Sequence, residues 1–343
     1  MINKRLPGPV FSGIFCIAVL FGILGKPVLA QSEGLNIVTS PLPINLVTEP
    51  GSTVSAQLKV KNGGQETENL KISLMKFTAF GEEGKPRLLD RERGDDYFDW
   101  IKFSEDNFEL RPNEWKTITA TITVPQNAAF GYYYAVVFSR KQPEEKSSSN
   151  AIVGATASLV LLEVRVPQAI RDIEVLDFST DKGIYEFLPA NFSIRLKNKG
   201  NVHVAPRGNI FIDSMNKKDV AILEINDVRG NVLPGTNRIF DSQWNDGFPV
   251  YQYKTDGNKV LTDKKFLNWD FSKISNLRIG KYTAHMLLVY DDGQRDVPIE
   301  GTLSFWVMPW RIIGAALVVF LLVGTGIWSM IRNILIKIWP TKK

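Results

Sequence analysis

Apolar and polar side chains alternate with a period of two over much of this chain. In Val54–Val60 every second residue is apolar, and in Lys116–Val124 the apolar residues alternate with threonines. Because successive side chains of a β-strand point to opposite faces, this pattern predicts strands with one buried face. The same criteria predict further strands at Tyr132–Phe138, Ala157–Val166, Phe192–Leu196, Tyr282–Tyr290 and Thr302–Val307.

Clusters of glycine, asparagine and aspartate separate these segments, at residues 62–64, 198–201, 256–258 and 291–293. Such residues tolerate the positive φ angles and side-chain-capped turns that reverse a strand. No long segment before residue 312 has helical periodicity. Many short strands joined by such turns predict an all-β fold made of sandwiches.

A weak internal repeat indicates two related modules. Each half has a strand that ends in an Asn/Gly turn, at Asn62 and Asn198, followed by a proline turn and then a Gly-x-Tyr-x-Ala strand start. The shared order predicts two tandem immunoglobulin-like β-sandwich domains, residues 31–167 and 168–308.

The tyrosine of each Gly-x-Tyr-x-Ala segment, Tyr133 and Tyr282, has a predicted structural role. In immunoglobulin-like sandwiches a tyrosine near the start of strand F hydrogen-bonds back to the backbone a few residues upstream. The alternative is that both are ordinary strand-forming aromatic residues.

The first 30 residues are typical of a secretory signal peptide. Lys4 and Arg5 precede the uncharged Val10–Leu24, and Val28-Leu29-Ala30 resembles a cleavage site. An uncleaved anchor is the alternative interpretation.

The C-terminal part predicts a transmembrane helix at residues 309–331. Ile312–Ile331 contains no charge, and 20 helical residues span roughly 30 Å, the thickness of the hydrocarbon core. The tail at 332–343 carries four cations, whereas only Arg311 borders the span on the other side. The positive-inside rule therefore predicts a single-pass cell-membrane protein with an extracytoplasmic N-terminal region and a cytoplasmic C-terminus.

The charge balance argues against nucleic-acid binding. The chain has 41 basic and 36 acidic residues, but three of the cations lie in the first 30 residues and five from Arg311 onward. The remaining 33 basic residues give residues 31–310 a net charge of −3. The basic excess follows the membrane topology rather than a nucleic-acid surface.

Features of an enzyme are scarce, and no cofactor or metal site is predicted. The two histidines, His203 and His285, form no metal-ligand pair, and the single cysteine, Cys16, lies in the predicted signal. Two carboxylates are enough for a glycosidase, so a carbohydrate-active enzyme stays an alternative. A calcium site in the acidic cluster at 90–99 is a further alternative, although Arg91 and Arg93 interrupt it.

Aromatic side chains provide the candidate binding residues. The segment Tyr132–Phe138 is apolar on both faces, so both need cover, either from the rest of the chain or from a partner. A second aromatic set lies in an insertion at 241–276, where it forms either a binding surface or a local core. The predicted binding residues are Tyr132, Tyr134, Phe138, Trp244, Tyr251, Tyr253 and Trp269.

The layout resembles the WxL-interacting proteins of Gram-positive cell surfaces. The matching features are the signal, a first module from Pro43 through Pro50-Gly51 to the Tyr132–Phe138 strand, a second immunoglobulin-like module, and a membrane span with a basic tail. The resemblance implies that the first module binds peptidoglycan and the second a surface protein. The segment Leu35–Thr48 lacks the aromatic-acidic stretch of that family, so no binding residue is transferred.

Three functions follow. The first is a non-enzymatic surface adhesion or scaffold protein that binds cell-wall polysaccharide or another surface protein. The second is a membrane-tethered chaperone-like protein that assembles surface subunits by β-strand complementation. The third is the carbohydrate-active enzyme.

Overall fold

A computed structural model describes residues 34–141, 154–256 and 259–338, without the side chains of residues 254–263 and 335–338. The predicted signal peptide, residues 31–33, residues 142–153, residues 257–258 and the last five residues lie outside the described part. Twenty strands and one long helix make up most of what is described, which confirms the predicted fold class of two tandem immunoglobulin-like β-sandwiches followed by an apolar helix.

Module 1, the N-terminal sandwich, contains ten strands and a 3-10 helix at Asp96–Trp100. Its strands are β1 (Ile37–Ser40), β2 (Ile44–Thr48), β3 (Thr53–Asn62), β4 (Glu68–Phe80), β5 (Lys85–Leu89), β6 (Ile101–Phe103), β7 (Asn107–Leu110), β8 (Trp115–Thr123), β9 (Phe130–Arg140) and β10 (Ala155–Val164). One sheet has the order β1-β3-β8-β6, and the other has the order β2-β10-β9-β4-β5, with β7 also paired to β4.

Module 2 contains the other ten strands and a 3-10 helix at Phe271–Asn276. Its strands are β11 (Ile173–Thr180), β12 (Ile184–Tyr185), β13 (Ala190–Asn198), β14 (Arg207–Ser214), β15 (Ala221–Ile225), β16 (Asn237–Trp244), β17 (Val250–Asp256), β18 (Lys259–Asn268), β19 (Gly280–Asp291) and β20 (Asp296–Val307). The sheets have the orders β11-β13-β16 and β12-β20-β19-β14-β15, and β17 and β18 form a separate hairpin.

Both modules place their first two strands in different sheets. In module 1, β1 pairs antiparallel with β3, whereas β2 pairs parallel with β10. In module 2, β11 pairs antiparallel with β13, whereas β12 pairs parallel with β20. The predicted internal repeat therefore corresponds to a repeated topology, and Pro167 lies between the two copies, in the segment that joins β10 to β11.

A buried asparagine occupies the same place in each module and explains the repeated Asn/Gly turns. The amide of Asn62 donates to the carbonyl oxygens of Glu66 and Leu110, at 2.7 and 3.0 Å. The amide of Asn198 donates to those of Val202 and Val232, at 2.8 and 2.9 Å. Both side chains are fully buried, so these bonds satisfy groups that would otherwise be costly to desolvate.

The alternating strands supply one core to each sandwich. In module 1 the inward-facing residues of β3, β8 and β9 include Leu58, Ile118 and Phe138, all fully buried. In module 2 the core is more aromatic, and Trp244 packs against Tyr282 and Phe305 with ring centroids 5.1 and 6.1 Å apart.

Two residues, Met308 and Pro309, separate β20 from the long helix α1 (Trp310–Ile338). Within its segment Trp310–Ile334, an 18-residue window has a mean hydropathy of 2.2 and is not buried against the rest of the chain, so the helix is long and apolar enough to cross a membrane. The helix continues past the predicted end of the span at residue 331, because nothing in the tail sequence through Ile338 breaks a helix.

Replacing Phe138 by alanine should destabilise module 1 by about 3–5 kcal/mol, because the substitution leaves a cavity in a closely packed core. Phe80→Ala is the matched control: Phe80 is 61% exposed, and its loss should change the free energy of unfolding by less than about 0.5 kcal/mol. Urea denaturation of the detergent-solubilised chain, followed by circular dichroism, measures both. Equal effects of the two variants would contradict the assignment of Phe138 to the core.

Candidate functional site

The outer face of the β9 sheet is covered by module 2. Ala135, Val137 and Leu161 point away from the core of module 1 and form a separate buried cluster with Phe77 of β4 and Leu233 of module 2. The sequence left open whether this second apolar face is covered by the chain itself or by a partner. Most of it is an interface between the two modules.

Polar contacts fix the position of the two modules relative to each other. Glu82, in the turn between β4 and β5, accepts hydrogen bonds from Arg195 Nε and Nη2 at 2.8 and 2.5 Å, and from Asn237 Nδ2 at 2.9 Å. Its backbone oxygen also accepts a bond from the Ile239 amide at 2.7 Å. The bonds from Arg195, followed by the bond from Asn237, lower the pKa of the Glu82 carboxyl below its ordinary value.

A second contact places a neutral histidine between the modules. Glu163 of β10 pairs with Arg171, and both side chains are mostly buried. Nearby, the His203 ring lies edge-on to Tyr133 with centroids 5.7 Å apart. Burial, together with the positive charge of Arg171, lowers the pKa of His203 to about 4. The imidazole is therefore uncharged in the folded protein at neutral pH.

Beside this interface lies an open cleft of about 520 Å³, which we call the inter-module cleft. Module 1 contributes apolar side chains from the 42–43 segment and from β4, β5 and β10, and module 2 contributes the segment 228–238. The lining includes Leu42, Pro43, Phe77, Ala79, Leu88, Ala157, Leu159, Leu161, Val228, Leu233 and Arg238. Its size and mostly apolar lining are typical of a binding site.

Arg238 is the charged group of the cleft that has no acidic partner among the described residues. Its Nη1 donates to the Asn231 backbone oxygen at 2.7 Å, and its Nε is buried without an acceptor. The guanidinium fits closely against Gly84 and Gly230, where an added Cβ would lie 2.4 and 2.3 Å from it. Burial lowers the pKa of Arg238 because removal from water disfavours the charged form, and an anion in the cleft would offset that cost.

One edge of β10 borders the same cleft. The strand pairs with β9 along its whole length, but β2 covers its other edge only from Val160 to Val164. Within the described residues, no strand pairs with the outer edge of Ala155–Leu159, but β1 contacts its first residues: the Thr156 hydroxyl donates to the Ile37 backbone oxygen at 3.2 Å. Ala157 and Leu159 of this stretch are only partly buried and line the cleft. An edge strand with free backbone groups can accept a further strand.

The prediction that Tyr134 and Phe138 belong to a binding face is wrong, whereas the binding role of the half-buried Tyr132 stays a prediction. Tyr134 and Phe138 are fully buried in the core of module 1, and Tyr132 packs against that core. The 3-10 helix covers this end of the sheet: Tyr134 donates a hydrogen bond to the Tyr97 backbone oxygen at 2.9 Å. These residues share the inward face of β9, which the sandwich itself covers.

The predicted corner bond of Tyr133 is made by its neighbour instead. The Tyr133 hydroxyl makes no hydrogen bond of normal geometry to a described residue, because its side chain points toward module 2. The hydroxyl of Tyr132 accepts a bond from the Ala129 amide, three residues upstream, at 3.3 Å. Tyr282 lies in the core of module 2, and its corner role stays a prediction.

The aromatic residues of the second insertion divide into two groups. Trp244 is 1% exposed in the module 2 core, so the prediction that it binds a partner is wrong. Tyr251 is half-buried and donates to Glu186 Oε2 at 3.1 Å. Tyr253 and Trp269 are each 45% exposed, so the structure leaves these two predicted binding residues accessible.

The acidic cluster at 90–99 is paired with cations of the chain. Asp95 and Glu92 lie 3.1 and 3.0 Å from Lys76 Nζ, and Asp99 receives two hydrogen bonds from Arg91. Among the described residues, no three His, Cys, Asp or Glu side chains are arranged to hold a metal ion.

No protein-family model and no curated protein matches this sequence. Among solved structures, the class 5 fimbriae chaperone CfaA is 14% identical, with a TM-score of 0.36 over 77% of this chain and 98% of that one. The CsuC-CsuE chaperone-tip adhesion subunit pre-assembly complex of Acinetobacter baumannii is 11% identical, with a TM-score of 0.35 over 77% and 97%.

A family 123 glycoside hydrolase from Clostridium perfringens is 12% identical, with a TM-score of 0.27 over 40% of this chain and 28% of that one. At identities and TM-scores this low, the similarities carry no argument about function. The fold assignment rests on the sheets described above.

His203→Gln should remove part of the acid sensitivity of the protein. The pKa of His203 in the folded protein lies below its ordinary value of 6.5, so the unfolded chain binds a proton that the folded chain does not. The free energy of unfolding therefore falls as the pH drops from 6.5 toward 4. Between pH 7 and pH 5 the wild type should lose about 2 kcal/mol more than the variant. Urea denaturation at both pH values measures the difference. The control is His285→Gln, at an exposed position on β19; an equal effect there would contradict the assignment to His203.

Proposed function

We propose that this chain is a membrane-anchored, non-enzymatic binding protein whose inter-module cleft receives an extended segment of a partner protein. The observation that carries the proposal is the coincidence of three features at one place: the edge of β10 that no described strand pairs with, the apolar cleft beside it, and the guanidinium of Arg238, which has no acidic partner among the described residues.

Strand addition uses the first of these features. An extended segment that displaces Ile37 from Thr156 would pair with the backbone of Ala155–Leu159 and continue the line of β2. Alternate side chains of that segment would point into the cleft, where Ala157, Leu159 and Leu161 provide apolar contacts. The backbone bonds supply affinity and the cleft supplies selection for apolar residues at every second position.

Arg238 selects the charge of the partner. Its Nε is buried without an acceptor, and no acidic side chain of the described residues pairs with the guanidinium, so a carboxylate in the cleft would supply the missing countercharge. We therefore favour partner segments that end in a carboxylate, or carry an acidic side chain, next to the apolar residues. A strand-complementation chaperone for surface subunits is one protein of this kind, and a static surface scaffold is another.

The cell-surface location is part of the proposal. The apolar segment Trp310–Ile334 supports a single membrane span, and the cations after it support a cytoplasmic C-terminus. Binding of cell-wall polysaccharide and membership of a WxL-interacting-like family remain predictions from the sequence. The carbohydrate-active enzyme has less support, since the described cleft presents apolar side chains and an arginine rather than two facing carboxylates.

Selection from a random peptide-display library on the full chain in lipid nanodiscs tests the site. The selected peptides should alternate apolar and polar residues and contain a carboxylate. Leu159→Asp should abolish their binding, and Arg238→Gln should weaken it roughly 10-fold by removing a charge-assisted hydrogen bond. Val38→Asp, at an exposed position of β1, is the control and should leave binding unchanged. Equal binding to Leu159→Asp and wild type would contradict the proposal.

Cysteine labelling in intact cells tests the topology. In a Cys16→Ser background, a membrane-impermeant maleimide should label Trp115→Cys, which lies on the exposed surface of module 1. Lys343→Cys should react only after the membrane is permeabilised, because the basic tail is expected inside. Labelling of both positions in intact cells would contradict the single-span arrangement.

A further inference from the structure

The end of module 2 next to α1, which we call the basal end, collects exposed apolar side chains. Val307 at the end of β20 pairs with Gly280 at the start of β19, and α1 begins at Trp310. The segment before Gly280 is therefore held at this end of the sandwich. It contains the 3-10 helix, whose Phe271 and Ile274 are 68% and 60% exposed.

The hairpin β17–β18 lies at the same end. Tyr251 and Lys265 line one cavity together with Trp310, the first residue of the helix. Glu186 connects the parts: its carboxylate lies 3.3 Å from Arg311 Nε and accepts the hydroxyl of Tyr251 at 3.1 Å. The hairpin and the entry of the helix are thus held side by side rather than joined by a flexible link.

We propose that this basal surface inserts into the headgroup region of the bilayer that α1 crosses, with anionic phospholipid as its ligand. The proposal rests on the membrane anchor proposed above. Its apolar contacts would be Tyr253, Phe266, Trp269, Phe271, Ile274 and Ile279, which are between 45% and 68% exposed. Aromatic rings with an apolar body and a polar edge favour the membrane–water interface.

The charge of the segment favours lipid over another apolar partner. Residues 245–281 contain seven basic and four acidic residues, a net charge of +3, whereas residues 31–310 together carry −3. Basic side chains near an anionic lipid surface contribute about 1 kcal/mol each. Exposed apolar side chains in a segment of net positive charge, next to an apolar helix, have the composition of an interfacial membrane-binding surface.

The aromatic side chains are supported from behind, so they are arranged before lipid is present. Trp269 and Phe271 stack with centroids 6.4 Å apart, and both pack against the buried Phe248. The Phe248 amide donates to the Asn276 oxygen at 2.9 Å, which ties the 3-10 helix to the sandwich.

Fluorescence of a polarity-sensitive label tests the contact. The full chain, in a Cys16→Ser background, carries the label at Phe271→Cys and is reconstituted into vesicles of phosphatidylcholine and phosphatidylglycerol. We expect its emission to shift to shorter wavelength and to be quenched several-fold by lipids with a nitroxide near the headgroup. Phe80→Cys is the matched control, because Phe80 is a similarly exposed phenylalanine that lies in module 1, at the end of β4, rather than at the basal end. The nitroxide lipid should not quench the label at residue 80, whereas iodide, a quencher dissolved in the water, should quench it.

The outcomes separate the two proposals. Extraction of the vesicles with alkaline carbonate tests the anchor separately. If the chain resists extraction but iodide in the water, and not the nitroxide lipid, quenches the label at residue 271, the basal contact is overturned and the anchor is left intact. A label protected from both quenchers also overturns it, because protein rather than lipid then covers the surface. A chain that carbonate extracts overturns the anchor itself.

Discussion

The arrangement of this protein depends on one strand that is apolar on both faces. β9 places Tyr134 and Phe138 in the core of module 1 and Ala135 and Val137 on the opposite face. A sandwich can cover only one face of such a strand, so the other has to be covered by something outside it. Module 2 covers most of it, and the part that module 2 leaves open is the inter-module cleft. The interface and the candidate site are two parts of the same apolar surface.

The polar contacts around that surface give it a defined geometry. Buried apolar contact is not directional, whereas the bonds from Arg195 and Asn237 to Glu82 fix the orientation of the modules. Such an orientation holds the two walls of the cleft at a set separation. Arg238 differs from Arg195 in this respect, since it lacks an acidic partner among the described residues although it lies in the same interface. That difference makes it a candidate for contact with another molecule.

The sequence predicted the strands, the two modules and the apolar helix, because each depends on local periodicity or length. It did not predict which face of β9 is inward, since both faces read as apolar, and the binding residues were consequently assigned to the core face. It also missed Glu82, His203 and Arg238. Their roles come from contacts between residues more than 100 positions apart or from burial at an interface, and no local pattern encodes either.

The short connection between β20 and α1 has a mechanical consequence. Only Met308 and Pro309 separate the strand from the helix, and the ion pair of Arg311 with Glu186 clamps the junction. A protein on a long flexible stalk samples many heights above its membrane; if α1 spans a bilayer as proposed, this one would hold its cleft at one height and tilt. A load applied to a bound partner would then pass along the strands of module 2 directly into the bilayer.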